Sequence, residues 1–233
     1  MYITEPEDII QNFLRGYVSE LTRLDDNGDA ISNRQTLVTE TFDGDDLETE
    51  FTMTDNTTCF YTVKIGGVAQ IPYYHFDIDY VNKKIKFKTA PETGSDNIEI
   101  KYYKGNNWIF TDKPRDNLTK LSYPRISILQ VTEPHIFTGV GTTNTYLNTT
   151  FQIDCLSYKD LICQIDSENI EGDKVTRYIS RNVIEAFKDN WNTQLIHVVR
   201  DWNIINNSNQ PFGVEKNIFK KIIEISITFR NLD

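Results

Sequence analysis

Cysteine is scarce in this chain of 233 residues. There are three, Cys59, Cys155 and Cys163. The odd number and the lack of any C-x-x-C pair argue against a disulfide framework or a zinc site, and for a reducing compartment. Long apolar runs are missing too. None approaches the roughly 18 residues that a membrane-spanning helix needs, so no membrane partner is expected. The first residues, "MYITEPEDIIQ", are acidic and polar and carry no signal-peptide pattern. With no sign of secretion, the sequons at Asn56, Asn117, Asn148 and Asn206 carry no weight. Positive charge is also in short supply: 24 Lys and Arg against 34 Asp and Glu, a net charge of −10. Nucleic-acid binding rests on cations that neutralise phosphates, so a chain this acidic is a poor nucleic-acid grip and an equally poor match for anionic membrane.

Catalytic patterns are absent from the sequence. There is no G-x-S-x-G, H-E-x-x-H, P-loop or G-x-G-x-x-G. His75, His135 and His197 lie far apart, each without a carboxylate or cysteine at ligand or triad spacing. The stretch "DDNGDAISNRQ" alternates Asp25, Asn27 and Asp29 like the start of a calcium loop. Gly28 comes too early, however, and Thr36 stands where the bidentate glutamate belongs. It reads as a polar linker. Asp43, Asp45 and Asp46 in "FDGDDLE" read as a solvated turn. No catalytic, cofactor-binding or metal-ligating residue is assigned, no cofactor is expected, and the chain is read as not an enzyme.

What is present is periodicity. Thr4, Pro6 and Glu7 form a capping-box start. Ile10, Phe13, Leu14, Tyr17, Leu21 and Leu24 then recur at helical spacing, predicting a helix from Ile9 to Leu24. From about Thr36 to Lys104 every signal is β. Phe60, Thr62 and Lys64 alternate with Tyr61, Val63 and Ile65, Gly66-Gly67 makes a tight turn, and "FDIDY", "KIKFK" and "IEIKYY" follow at hairpin spacing. "SYPRISILQV" and "TYLNTTFQIDCLSY" predict two strands, the second with Phe151, Ile153 and Cys155 on one face. Val175, Tyr178, Ile179, Val183, Ala186 and Phe187 form the apolar stripe of a second helix, opposite Lys174, Arg177, Arg181 and Lys188. "QLIHVVRDWNII" is a further strand. The last, "KKIIEISITFRN", sets Ile223, Ile225, Ile227 and Phe229 against Glu224, Ser226, Thr228 and Arg230. The fold class is α+β: a mixed or antiparallel sheet with two helices on one face, formed by residues 1–37 and 105–233. An inserted all-β sandwich or meander occupies 38–104.

The run Leu121-Ser122-Tyr123-Pro124-Arg125-Ile126-Ser127-Ile128 resembles the first strand of tail terminator (tail completion, or neck) proteins of tailed phages and tailed archaeal viruses. Further similarity lies in the block Ile153-Asp154-Cys155-Leu156-Ser157, the helix Val175 to Trp191, the closing run Ile222 to Phe229 and the N-terminal helix. The segment 38–104 resembles β-modules of phage structural proteins. Val63, Ile65, Gly67, Gln70, Tyr74, Phe76, Ile78, Tyr80, Ile85, Phe87, Ala90, Pro91, Gly94, Ile98, Ile100 and Tyr102 follow that layout. The resemblance implies a tail-terminator-like fold and a virion protein assembled into a homo-oligomeric ring, of hexameric order, at the head–tail junction or upper end of the tail. Its partners would be copies of itself, the tail tube and connector or neck proteins. DNA would be passing cargo, and the free protein would occupy the host cytoplasm during assembly. Arg177, Arg181, Trp191 and Trp202 are candidate interface residues. Two alternatives stand beside this. One is a baseplate, adhesin or decoration protein whose β-module binds a cell-surface glycan; the other is an enzyme with a site the sequence does not display.

Overall fold

The computed structural model describes residues 6–72, 74–79, 82–112, 118–132, 135–138, 145–195, 197–212 and 217–230. Two compact units emerge. One is Met1–Asn33 together with Trp108–Asp233, and the other is Arg34–Asn107.

The larger unit begins with helix α1 (Pro6–Tyr17), which buries Ile9, Ile10, Phe13 and Leu14. The capping residue Thr4 lies outside the described residues. The expected helix to Leu24 is corrected: it stops at Tyr17, and Thr22–Leu24 is a strand, β1, paired with β2 (Ala30–Ile31). Leu21 and Leu24 fit either element by spacing. Tertiary contacts decide, because buried Arg23 donates to the carbonyls of Leu121 (2.8 Å) and Ser32 (3.0 Å). The expected polar linker is the turn of this hairpin. Oδ1 of Asp25 accepts from the amides of Asn27 (2.8 Å) and Asp29 (2.9 Å), which is an Asx turn rather than a cation loop.

The inserted unit holds β3 (Gln35–Gly44), β4 (Glu50–Thr52), β5 (Thr57–Ile65), β6 (Val68–Ala69), β7 (Phe76–Asp79), β8 (Lys84–Phe87) and β9 (Gly94–Gly105). They form two antiparallel sheets, ordered β3-β9-β5-β6 and β4-β8-β7. Phe51, Phe76, Ile85 and Phe87 from one sheet meet Phe60, Val63, Ile98, Ile100 and Tyr102 from the other in a single core. Gly66 and Gly67 both have positive φ (55° and 80°), as a two-residue turn between right-twisted strands requires. In β5 the expected alternation is corrected. A bulge between Phe60 and Thr62 inserts one residue, so Phe60 and Val63 share the buried side. The unit's two ends meet: Gln35 pairs with Gly105, and Leu37 with Tyr103. Residues 34–37 and 105–107 therefore belong to it as well as 38–104. At Gly105 (φ 107°) a Cβ would lie 2.2 Å from the Arg34 carbonyl oxygen, so the closing corner needs glycine.

The larger unit resumes with β10 (Ile109–Phe110), β11 (Arg125–Gln130), β12 (His135–Thr138), β13 (Thr145–Tyr158), β14 (Ile162–Ile165), β15 (Glu168–Glu171), α2 (Asp173–Gln194), β16 (Val199–Phe212) and β17 (Ile218–Arg230). Its main sheet runs β10-β11-β13-β17-β16, with β12 also on β13. Every strand pair in it is antiparallel except the short β10–β11 pair. A second, small sheet, β15-β14-β1-β2, is an addition to the expected order of strands. Its hairpin β14–β15 turns at Asp166 and Ser167, both at positive φ. The side chains of Ile223, Ile225, Ile227 and Phe229 are fully buried, as are Val175, Ile179, Val183 and Phe187 of α2, which packs on β13 and β17. Helix α1 packs on β10 and β11 and meets α2 through Phe13 and Phe187, whose rings lie 5.0 Å apart. The result is a mostly antiparallel α+β architecture with both helices on one face of the sheet. Neither helix is long and apolar enough to cross a membrane.

Candidate functional site

The four candidate interface residues do not form one cluster. Arg177 and Arg181 stand one turn apart on the exposed side of α2, where the apolar stripe on the other side leaves them. Each is engaged along its own helix. Arg177 pairs with Asp173 at 2.6 Å, and Arg181 with Glu185 at 2.7 Å. These are i,i+4 pairs open to solvent, and they occupy the guanidinium groups that an anion would need. Trp202 lies on the opposite side of the helix, its ring 5.3 Å from that of Phe187, and is half-buried. Trp191 is half-buried in the last turn, where its carbonyl accepts from the Leu195 amide at 2.8 Å. Trp202 is thus a core-edge anchor between β16 and α2, and the two arginines are surface residues.

The histidines are equally separate. The Nδ1 of His75 accepts the Ile71 amide at 2.9 Å, fixing a turn. His197 is exposed, and the side chain of His135 lies outside the described residues. Among the described residues no group of three or more His, Cys, Asp or Glu could hold a metal ion. Burial pushes the thiol of Cys155 well above its usual range, which leaves it a core residue without thiolate chemistry.

Sequence reasoning missed a buried polar set on the sheet face turned away from the helices. Asp154 on β13 is 2% exposed and pairs with Lys220 of β17 at 2.6 Å. It also accepts from Gln152 Nε2 at 2.7 Å. Its cross-strand neighbour is Ser127, whose hydroxyl accepts from Arg125 Nε at 3.1 Å. Arg125 continues to Asp112 and lies 3.7 Å above the Phe110 ring. Every charge here has an opposite partner, so the set fixes strand register and offers no spare acid or base. The one sequence signal was Asp154 placed between Ile153 and Cys155 with Lys220 opening the last strand, which alternation alone assigns to solvent.

The inserted unit carries its own acidic end, remote along β3 and β9 from the paired chain ends. Asp45 accepts from the amides of Glu48 (2.6 Å) and Leu47 (2.9 Å), which hold its carboxyl below the usual range. Asp43 accepts from the Asp96 amide, and Asp46 from Thr93. The carboxylates therefore shape their own loops, while Leu47 stands 82% exposed between them.

No protein-family model matches the chain, and no curated protein matches it in sequence.

Proposed function

We propose that the chain is a structural virion protein that forms an oligomeric ring at the head–tail junction or the upper end of the tail tube. There it would terminate the tail and join it to the connector. The observation that carries this reading is an order of elements: a helix, a strand from Arg125, a strand through Ile153–Ser157, a helix from Asp173 and two long closing strands. These build an antiparallel sheet with both helices on one face. The same order underlies the resemblance drawn from residues 120–233. Supporting it is the division into two units, neither with an evident reaction centre among the described residues, which suits a protein whose work is contact rather than chemistry.

In this reading DNA passes through the ring without sticking. Each lysine or arginine lining a bore would add phosphate attraction, and a chain of net charge −10 builds a non-adhesive bore readily. Exposed Asp26, Asp29, Asp166 and Glu168 are candidates to line it. Electron microscopy and native mass measurement of the purified chain test the reading, with a closed ring as the expected result. A monomer at every concentration, or a ring that retains DNA at physiological salt, would count against it. Glycan binding by the inserted unit would move the assignment to an adhesin or decoration protein.

A further inference from the structure

The main sheet ends on one side in β16, and this edge differs from the other outermost strands among the described residues. Among the described residues no further strand pairs with it. It is long, 14 residues, and from Trp202 to Phe212 ("WNIINNSNQPF") it carries no charged side chain. The other outermost strands are short or acidic. β2, β6 and β10 have two residues each and β12 has four. β3 carries Glu40 and Asp43, β4 carries Glu50, β7 carries Asp77 and Asp79, and β15 carries Glu168 and Glu171. Shortness and charge are the usual means by which an edge avoids adding to another sheet, and from Trp202 onward β16 has neither. Its bulges, at Val199/Asp201 and Ile204/Asn206, sit in the first half and leave 206–212 in unbroken register with β17. Asn203, Asn206, Asn207 and Asn209 are exposed, and Ile205 is 56% exposed.

We propose that β16 is a self-association edge, taking up the β16 of a second copy of this chain antiparallel about a two-fold axis. Charge selects that occupant. Between copies of a chain with net charge −10, the longer acidic edges would set carboxylate against carboxylate, and like charges opposite one another destabilise a ladder. Two β16 strands meet with no like charge from Trp202 onward, and Asn and Ser side chains can bond across the seam. A strand from a basic partner would instead find its match on β3 or β7. Pro211 offers no N–H, which centres the ladder on 203–209. The contact is isologous, whereas a ring needs head-to-tail contacts. The inference therefore does not rest on the ring reading; if both hold, two rings stack through β16.

The test is the double variant Asn203→Lys/Asn206→Lys in the full chain. Both positions are exposed, and within the sheet they face Ser226 and Glu224, so the fold keeps acceptable cross-strand pairs. Across the two-fold axis the new lysines repel. Sedimentation of wild type and variant should show the assembly mass halved, dimer to monomer or double ring to single ring, with association weakened roughly tenfold or more. The amides of 202–210 in the wild type should gain hydrogen-exchange protection with rising protein concentration, a readout that survives even if the variant misfolds. A wild-type chain with no two-fold assembly, an assembly indifferent to the variant, or protection independent of concentration, as a strand from a different protein would give, each overturns the proposal.

Discussion

The two units solve the same problem, holding long antiparallel strands, in opposite ways. In the inserted unit the longer strands are covered on one face. Along β9, Ile98, Ile100 and Tyr102 are fully buried and alternate with half-exposed Glu99, Lys101 and Tyr103. Its charges stay outside as ladders: Lys64–Glu99 at 3.2 Å, and Lys84 and Lys86 both on Glu50 at 3.2 and 3.1 Å. In the larger unit β11 and the second half of β13 are buried on both faces. Residues 125–128 of β11 and 153–157 of β13 are buried without a break. Charges on those strands are trapped inside and must be paired there, as Asp154 and Lys220 are. Solvated pairs contribute little, whereas an interior pair is costly to break. The two halves of one chain should therefore answer substitution and pH differently.

The largest effect is expected from Ile225→Asp, which sets an unpaired charge where β17 meets α2. A loss of about 4 kcal/mol or more is expected, enough to unfold a unit of ordinary stability. Ile85→Asp should do the same to the inserted unit. Hydrogen exchange should show each variant losing protection in its own unit alone, and loss in both would mean that the two share one cooperative core. Next comes Asp154→Ala, which removes the buried carboxylate that faces Lys220 and should cost about 3 kcal/mol in denaturant unfolding. A loss below ~1 kcal/mol would mean that Lys220 swings to solvent.

Tyr102→Phe should cost about 1 kcal/mol. It removes the hydroxyl that donates to Glu40 and accepts from the Asp55 amide.

Acid should reach the inserted unit through its ladders. The lysines Lys86 and Lys84 hold Glu50 below the usual carboxylate range, and Lys64 does the same for Glu99. A depressed folded pKa stabilises fully above the unfolded value, near 4, and is lost as pH falls through the folded value. Melting of this unit should therefore be flat near neutrality and fall below about pH 4. In Glu50→Gln that acid-dependent fall should be shallower, and an unchanged profile would remove the ladder from the account. The smallest effect is expected from excising residues 36–104 with a short Gly/Ser bridge between Gln35 and Gly105. Those two residues are already cross-strand neighbours, so circular dichroism should report a folded remainder. A molten product would sink the two-unit description.

The one-face strands were the readable ones. Ile223, Ile225, Ile227 and Phe229 in β17, the stripe of α2 and the Gly66-Gly67 turn all stand where their spacing puts them. The ambiguous stretches were those where a short apolar spacing fits two elements. Leu21 and Leu24 suit a helix or a strand, and Arg23 reaching Leu121 settles the matter from almost a hundred residues away. The hairpin of β14 and β15 has no clear signal in the sequence, because its strands are four residues each and β15 is mostly polar.

Patterning along the chain was enough for the mostly antiparallel α+β character and for the face each half-buried strand presents, because a period of 2 or 3.6 is a local consequence of backbone geometry. It could not reveal the Asp154–Lys220 pair, the bulge that moves Phe60 and Val63 to one side, the engagement of Arg177 and Arg181 by their own helix, or the bare edge at β16. Each depends on which strand or side chain lies alongside, and such neighbours are chosen by packing between segments far apart in the chain.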